Sequence, residues 1–393
     1  MDSTVSGTTG SPADNNAAGT TAARARLGGL DGLRGVAALF VVLHHCWLLA
    51  FPGFPADTGP WWAGWLLYGH FAVVLFITLS GFSLALAPAR AGWRLDGLRR
   101  YARRRAWRIL PPYWAALAFS LAVAWLLVPQ PGQPVPTGKT VVVYGLLLQD
   151  VFGSPSPNGA LWSIAVEAQL YVVLPLMLLI IRRLGLTAMA ASVTAVIVVV
   201  GVLAYHVPLV AMLMRLTPQF AVLFAVGVLA AAVVRAPVAA PLHWAAALAV
   251  APVLVVIAVQ GSTWTVANFF WIDIALAPAA GLLLASTVCG RPRPLLRLLE
   301  TRPVRSLGSF SYSLYLVHAP IVVVVNHFLL GPWLGQGVAR FLLLLAVAVP
   351  VSLLFARAFA ALFELPFQRH RSGAALRAAI RNRPAPAGPG DDG

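Results

Sequence analysis

Residues 66–87 read LLYGHFAVVLFITLSGFSLALA, a run without a single Asp, Glu, Lys or Arg. A helix rises about 1.5 Å per residue, so this run measures about 33 Å as a helix and matches the ~30 Å hydrocarbon core of a bilayer. The stretch therefore predicts a transmembrane helix.

Comparable apolar runs recur along all 393 residues, and only 10% of the residues are charged. A soluble domain usually has about a quarter charged residues and could not cover its surface with so few. The sequence predicts an all-α integral membrane protein, a bundle of about ten transmembrane helices. The predicted spans lie near 33–50, 66–87, 112–128, 162–181, 187–205, 215–234, 242–260, 268–289, 310–330 and 341–363.

The remaining segments are short or polar. We expect a disordered cytoplasmic tail at 1–29, a membrane domain at 30–368 and a basic, Pro-rich cytoplasmic tail at 369–393. The apolar piece at 140–148 lies in a Pro/Gly-rich region and is too short to cross a bilayer, which leaves a re-entrant or an interfacial position.

We attribute the net charge of +16 to the topology of the chain in the membrane rather than to nucleic-acid binding. Of the 28 basic residues, 25 fall in alternate segments between the predicted spans, and only Lys139, Arg215 and Arg340 fall in the opposite set. Basic loops stay on the cytoplasmic side, so both termini are predicted to be cytoplasmic and the number of spans even. We expect a multi-pass protein of the cell membrane, in contact with the lipid bilayer and without a nucleic-acid partner.

The first span carries ionisable residues, which are costly in a bilayer and therefore candidates for function. Arg34 and His45 are eleven residues apart, close to three helical turns, so they share a face with His45 about 16 Å deeper. Asp31 lies three residues before Arg34 and can pair with it.

Two further spans place polar side chains on one face. Ser163, Glu167 and Tyr171 follow each other at four-residue intervals, with Glu167 at a depth comparable to that of His45. Another stripe begins the ninth span and consists of Ser311, Tyr315 and His318. Either stripe can belong to an active site or to a structural network that holds the helices together.

The segment RRYARRRAWRILPPYW holds more arginines than topology requires. Arg105 and Arg108 project from one face, and guanidinium groups suit bidentate contacts with phosphate. The alternative is contact with lipid headgroups. Ser80 and Gly81 interrupt the second span near its cytoplasmic end. These small residues either form a thin wall where a ligand enters or let a neighbouring helix pack closely.

Six stretches, in this order, resemble the acyltransferase 3 family of membrane proteins, from Leu30 to about Pro366. They are LDGLRG with its Arg-x10-His spacing, LFITLSGF, RAWRILPPYW, LWSIAVEAQLY, SYSLYLVH and FELPF. Ala168 departs from the family pattern, which often has a second Glu after the position of Glu167. The sequence also lacks the C-terminal hydrolase-like domain of many members that modify peptidoglycan, which makes that acceptor less expected.

The resemblance implies acyl-CoA entering from the cytoplasm as donor, His45 as the catalytic histidine and Arg34 as its partner. It assigns donor binding to Arg105 and Arg108, to which we add Ser80, Gly81 and Tyr113. Glu167 and His318 are expected to join the catalytic set. The residues expected around the acceptor are Asp31, Ser163, Tyr171, Ser311 and Tyr315.

The sequence thus predicts an O-acyltransferase that moves an acyl group, in our interpretation acetyl, from acyl-CoA to a hydroxyl of a carbohydrate or a macrolide-type metabolite. His45 acts either as general base or as transient acyl carrier. Neither a metal nor a bound cofactor is expected. The alternatives are a proton-coupled transporter or flippase and a non-catalytic lipid-binding protein, although we find no internal repeat of the kind transporters show.

Overall fold

The computed structural model describes residues 12–234 and 241–369, and these residues are mostly helical and contain no strand. The helices are α1 (Pro12–Ala50), α2 (His70–Arg90), α3 (Leu98–Leu126), α4 (Gly138–Gly145), α5 (Gln149–Phe152), α6 (Trp162–Leu184), α7 (Leu186–Leu203), α8 (Pro208–Leu213), α9 (Phe220–Ala230), α10 (Leu242–Ala267), α11 (Phe269–Val288), α12 (Arg293–Leu299), α13 (Arg302–Ser309), α14 (Ser311–Val324), α15 (Val338–Phe359) and α16 (Leu365–Arg369). The predicted all-α class is confirmed.

Within the described ranges, nine helices are long and apolar enough to cross a membrane. A tenth candidate is the pair Pro208–Leu216 and Phe220–Val233, which is bent by 50° and forms either a broken span or a re-entrant loop. The sixth predicted span, a continuous stretch over 215–234, therefore contains a bend. The bend falls at Thr217, whose φ of 47° is left-handed, because the following Pro218 disfavours helical backbone at the residue before it. The side of each terminus stays a prediction.

The third helix begins earlier than predicted. The predicted span starts near residue 112, but α3 starts at Leu98 and runs through Pro111 and Pro112. The preceding arginine-rich segment is helical because arginine is a good helix former. Arg105 and Arg108 consequently stand on the same helix as the span that follows them.

Only part of the two predicted tails belongs to the described residues. Helix α1 begins at Pro12, inside the segment 1–29 that the sequence assigned to a tail. Residues 1–11 and 370–393 lie outside the described residues. Segment 140–148 contains the eight-residue α4, which is too short to cross a membrane, as predicted.

The core has two halves, and α1 contributes to both. One half joins α1 to α3, α14 and α15, and the other joins α2 to α6, α9 and α11. Large apolar side chains such as Val172, Leu248 and Leu354 point outward and are more than 70% exposed. A bilayer covers such side chains, and the chain is a multi-pass membrane protein.

Helices α2 and α9 cross at two glycines. A Cβ atom on Gly81 would lie 2.2 Å from the carbonyl oxygen of Phe224, and one on Gly227 would lie 2.1 Å from that of Thr78. Small residues permit such close backbone approach in membranes, where dispersion contacts hold helices together. Gly81 is thus a packing residue.

We expect Gly227→Ala to destabilise the protein by about 1–3 kcal/mol, because the added methyl group has to push the two helices apart. The measurement is thermal unfolding of purified protein in detergent. Gly138→Ala is the matched control, since a Cβ atom at Gly138 meets nothing within 4 Å. Equal unfolding midpoints for the two variants would show that the crossing is less tight than described.

Candidate active site

Helices α1 and α14 each bring one histidine into the bundle, and the two imidazoles are in contact. His45 Nδ1 lies 3.2 Å from His318 Nε2, and the rings meet edge to face with centroids 4.8 Å apart. His318 is fully buried. The polar stripes of the sequence included both residues but gave no sign of their contact.

The surrounding hydrogen bonds assign the protons of this pair. His318 Nδ1 lies 3.0 Å and 2.9 Å from the carbonyl oxygens of Leu314 and Tyr315, so Nδ1 is the donor and Nε2 the acceptor. His45 Nδ1 lies 2.9 Å from the carbonyl oxygen of Val41 and faces His318 Nε2, so it also carries a proton. His45 Nε2 is then left with a free lone pair, which suits a general base.

A cavity of about 410 Å³, here the histidine cavity, opens beside His45. It lies toward the C-terminal part of α1 and the N-terminal end of α2, and loops close its rim. A Cβ atom at Gly159 would lie 3.7 Å from His45 Nε2, so bare backbone faces that nitrogen. Its lining includes His44, His45, His70, Gln130, Gln133, Ser156, Trp162 and Phe269.

A second cavity of about 390 Å³, here the basic cavity, lies at the opposite ends of α1 and α2. Arg34, Arg105 and Arg108 all line it. Arg34 donates hydrogen bonds to Asp31 (3.0 Å) and to Ser83 Oγ (2.5 Å). Arg105 Nε is buried and has no hydrogen-bond partner among the described residues, so this guanidinium group is available to an anion.

Glu167 belongs to the basic cavity rather than to the histidine pair. Its Oε1 accepts hydrogen bonds of 2.6 Å from both Ser80 Oγ and Tyr171 OH. The predicted catalytic set is therefore divided, with His45 and His318 in contact and Arg34 and Glu167 on the wall of the other cavity. Equal depth along two helices did not imply a shared site, because depth alone says nothing about the direction in which each helix faces.

A thin wall separates the two cavities. Val73 and Tyr315 line both, and Tyr315 OH shares a 2.7 Å hydrogen bond with Ser163 Oγ, which lines the basic cavity. The Tyr315 ring is also close to His318, with centroids 6.0 Å apart. We call Val73, Ser163 and Tyr315 the partition. It brings the basic cavity close to the histidine pair.

The remaining predicted residues have different surroundings. Tyr113, assigned to donor binding, is fully buried and donates a 2.8 Å hydrogen bond to the carbonyl oxygen of Tyr144, away from either cavity. Its motif position reflects packing of α3 on α4. Gly81 packs on α9, as described above, while Ser80 lines the basic cavity. Ser311 lines the same cavity and donates to the carbonyl oxygen of Gly308 at 2.9 Å.

Sequence reasoning missed two buried acidic residues. Glu364, in the FELPF stretch, lines the basic cavity and accepts hydrogen bonds from Ser313 Oγ (2.5 Å) and Gln368 Nε2 (2.7 Å). Asp273 in α11 is fully buried and contacts His70. A carboxylate inside an apolar span was the available signal for both. Within the described residues, no group of three or more His, Cys, Asp or Glu side chains is placed to hold a metal ion.

Comparison with known proteins gives a family match over most of the chain. Residues 27–357 match the model of the acyltransferase 3 family, described as an acyltransferase domain. No solved structure matches the chain.

Three relatives have names that concern acyl transfer. The acyltransferase MdmB of Streptomyces mycarofaciens is 28% identical over 79% of this chain and 83% of its own length. BcsY of Komagataeibacter xylinus, provisionally named a membrane-bound transacylase, is 26% identical over 83% of this chain and 80% of its own. YrhL of Bacillus subtilis (strain 168), provisionally named a peptidoglycan O-acetyltransferase, is 30% identical over 39% of this chain, and this match spans only 24% of YrhL.

Proposed function

The chain belongs to the acyltransferase 3 family, and from that premise we propose that it transfers an acetyl group from cytoplasmic acetyl-CoA to a hydroxyl of a carbohydrate or of a macrolide-type metabolite. The observation that carries the proposal is the pair of cavities that meet at the partition beside His45 and His318. Two cavities that meet at one wall allow two substrates to enter separately and react where the cavities meet.

The basic cavity suits the donor. Three arginines line it, and charge-assisted hydrogen bonds to phosphate are among the strongest that proteins make. A third depression of about 310 Å³ adjoins it and shares Arg105 and Arg108. Trp107 and Phe367 line that depression, with ring centroids 5.3 Å apart, and supply apolar faces on which an adenine base can stack. The acyl-pantetheine arm then points inward toward the partition.

The histidine cavity suits the acceptor. His45 Nε2 removes the proton from the acceptor hydroxyl as its oxygen attacks the thioester carbonyl carbon. The carbon–sulfur bond breaks, and the proton on His45 passes to the departing thiolate of CoA. His318 Nε2 accepts from His45 Nδ1–H and stabilises the imidazolium that forms meanwhile. Ser163 and Tyr315 share one hydrogen bond, and the hydroxyl that accepts in it keeps its own proton to donate to negative charge on the carbonyl oxygen.

The sidedness is part of the proposal. We place the basic cavity at the cytoplasmic face of the cell membrane, because 25 of the 28 basic residues belong to the loops of that side and because acyl-CoA is cytoplasmic. The histidine cavity then opens toward the opposite face, where the acceptor enters.

The test is release of free CoA by the purified protein in nanodiscs. Acetyl-CoA is supplied with a panel of acceptors, namely the methyl glycosides of glucose, galactose, mannose and N-acetylglucosamine and a macrolide aglycone. We expect CoA release that depends on an acceptor and yields an acetylated product. Absence of both binding and turnover of acetyl-CoA, together with proton-driven solute movement in proteoliposomes, would favour the transporter alternative.

Glu167→Gln should raise KM for acetyl-CoA by roughly tenfold and leave KM for the acceptor unchanged. The carboxylate accepts from two hydroxyls at one oxygen and thereby shapes the wall of the basic cavity, and a neutral amide oxygen accepts more weakly from the same hydroxyls. Initial rates at varied donor and acceptor concentrations measure both constants. Glu300→Gln, at an exposed glutamate, is the control. An unchanged donor KM in Glu167→Gln would exclude this role.

A further inference from the structure

Another histidine of the histidine cavity has a buried acidic partner. His70, the first residue of α2, places Nε2 2.9 Å from each carboxylate oxygen of Asp273 in α11. Asp273 is fully buried, and Gln219 Nε2 donates to it at 3.2 Å. A buried carboxylate needs such donors to remain ionised in a membrane protein. The carboxylate thus fixes His70 with Nε2–H as the donor.

The other nitrogen of His70 is free. Nδ1 has no hydrogen bond within the described part of the chain, and His70 lines the histidine cavity. A carboxylate behind one imidazole nitrogen holds the ring orientation and leaves the other nitrogen for a ligand. The reaction proposed above uses His45 and His318 and assigns nothing to this group.

Aromatic rings surround His70 on the cavity side. The imidazole is parallel to the ring of Phe269, with centroids 4.0 Å apart and planes at 7°, and to that of Trp162, at 6.1 Å and 8°. Phe269 and Trp162 both line the histidine cavity, and Phe220 packs behind them. Ligand sites typically combine such apolar walls with a few fixed polar groups that set orientation. Amide groups of Gln130 and Gln133 stand on the rim of the same cavity.

We propose that His70, held by Asp273, is the residue that positions the acceptor, by a hydrogen bond between its Nδ1 and a hydroxyl of a sugar ring that packs against Trp162 and Phe269. The hydroxyl bound by His70 is a neighbour of the one that His45 deprotonates, so the pair selects which position is acylated. The inference rests on the proposed function in one respect, namely that the acceptor occupies the histidine cavity.

The variant that tests it is His70→Gln. The glutamine side-chain amide reproduces the donor at the position of Nε2 and keeps the contact with Asp273, but it has no group at the position of Nδ1. His70→Asn has the reverse character, with a polar group near the position of Nδ1 and none that reaches Asp273. His206→Gln, at an exposed histidine outside both cavities, is the control.

The measurement uses the methyl glycosides named above and the monodeoxy analogues of the one that turns over or binds. For His70→Gln we expect acceptor KM to rise roughly tenfold, with kcat and the KM of acetyl-CoA unchanged, since one hydrogen bond is lost. In wild type, one deoxy analogue should have an acceptor KM that is higher by the same factor. In His70→Gln the KM of that analogue should not rise further, because the two changes remove the same contact. The same comparison between wild type and His70→Gln is made with the dissociation constants of the glycosides, measured at equilibrium without donor.

The two proposals fail in different ways. Binding of a glycoside that weakens in His70→Gln, without any turnover, supports the acceptor contact and contradicts the acyl transfer. Turnover with equal acceptor KM in wild type and His70→Gln contradicts the contact alone.

If His70→Gln slowed turnover by about two orders of magnitude or more at unchanged KM, His70 would be the base, and its positioning role would be overturned. Equal losses of donor and acceptor affinity in both His70 variants would mean a structural role, and a panel with no bound glycoside would exclude the sugar subsite.

Discussion

Replacing His45 by alanine is expected to lower kcat by a factor of about 10²–10⁴, the usual contribution of a general base. KM for acetyl-CoA should stay near the wild-type value, because the proposed site for the donor's phosphates is the other cavity. The reason is geometric, since Nδ1 of His45 is engaged by Val41 and His318 and its Nε2 carries the free lone pair. CoA release at saturating donor and acceptor measures the change.

His206→Ala is the matched control, because it removes an imidazole that is exposed and lines neither cavity. Wild-type kcat in a folded His45→Ala protein would exclude the histidine pair as the reacting centre. A labelling experiment distinguishes the two roles that the sequence left open, with His45→Ala as its control. Incubation of wild type with labelled acetyl-CoA in the absence of acceptor should leave label on the protein if His45 is acylated, and no label if it acts as a base.

Replacing both Arg105 and Arg108 by leucine is expected to raise KM for acetyl-CoA by a factor of about 10²–10⁴. Each hydrogen bond to a charged group contributes about 1.5–3 kcal/mol, which corresponds to tenfold or more. The buried and unpartnered Nε of Arg105 makes this group the stronger candidate of the two. Initial rates at varied acetyl-CoA give KM, and kcat should fall much less.

Two comparisons make this result specific. Arg103→Leu removes the same charge from an exposed position of α3 that lines none of the described cavities, and it should leave KM unchanged. Acetyl-pantetheine lacks the phosphates, so wild type and the double variant should use it equally poorly. The double variant could instead keep the wild-type ratio of KM values for acetyl-CoA and acetyl-pantetheine. That result would show that the phosphates bind elsewhere.

The sequence predicted those features that depend on a single helix. Hydropathy located the spans, and the eleven-residue spacing placed Arg34 and His45 at the two ends of one helix face, where they now line different cavities. The contact between His45 and His318 depends on how α1 crosses α14, and no spacing within either helix encodes it. The same holds for Gly81, whose packing role depends on the carbonyl oxygen of Phe224 in another helix.

Some errors had a local origin. The apolar stretch of the third span starts near residue 112, but the arginine-rich sequence before it continues the same helix back to Leu98. Asp273 was overlooked because it stands alone in an apolar run, without a polar stripe around it, and its partner His70 comes from a helix 203 positions away in the sequence. A rule that treats every intramembrane carboxylate as a candidate would have found it.

The partition has an electrical consequence. Where two cavities open to opposite faces of a membrane, as we propose here, the transmembrane voltage falls mainly across the thin layer between them, formed by Val73, Ser163 and Tyr315. Moving one elementary charge across such a layer involves about 2.3 kcal/mol per 100 mV. An acetyl group is neutral and crosses without electrical work, whereas a leak of protons through the same layer would discharge the cell. On this proposal the partition has to pass the acetyl group and stay closed to protons.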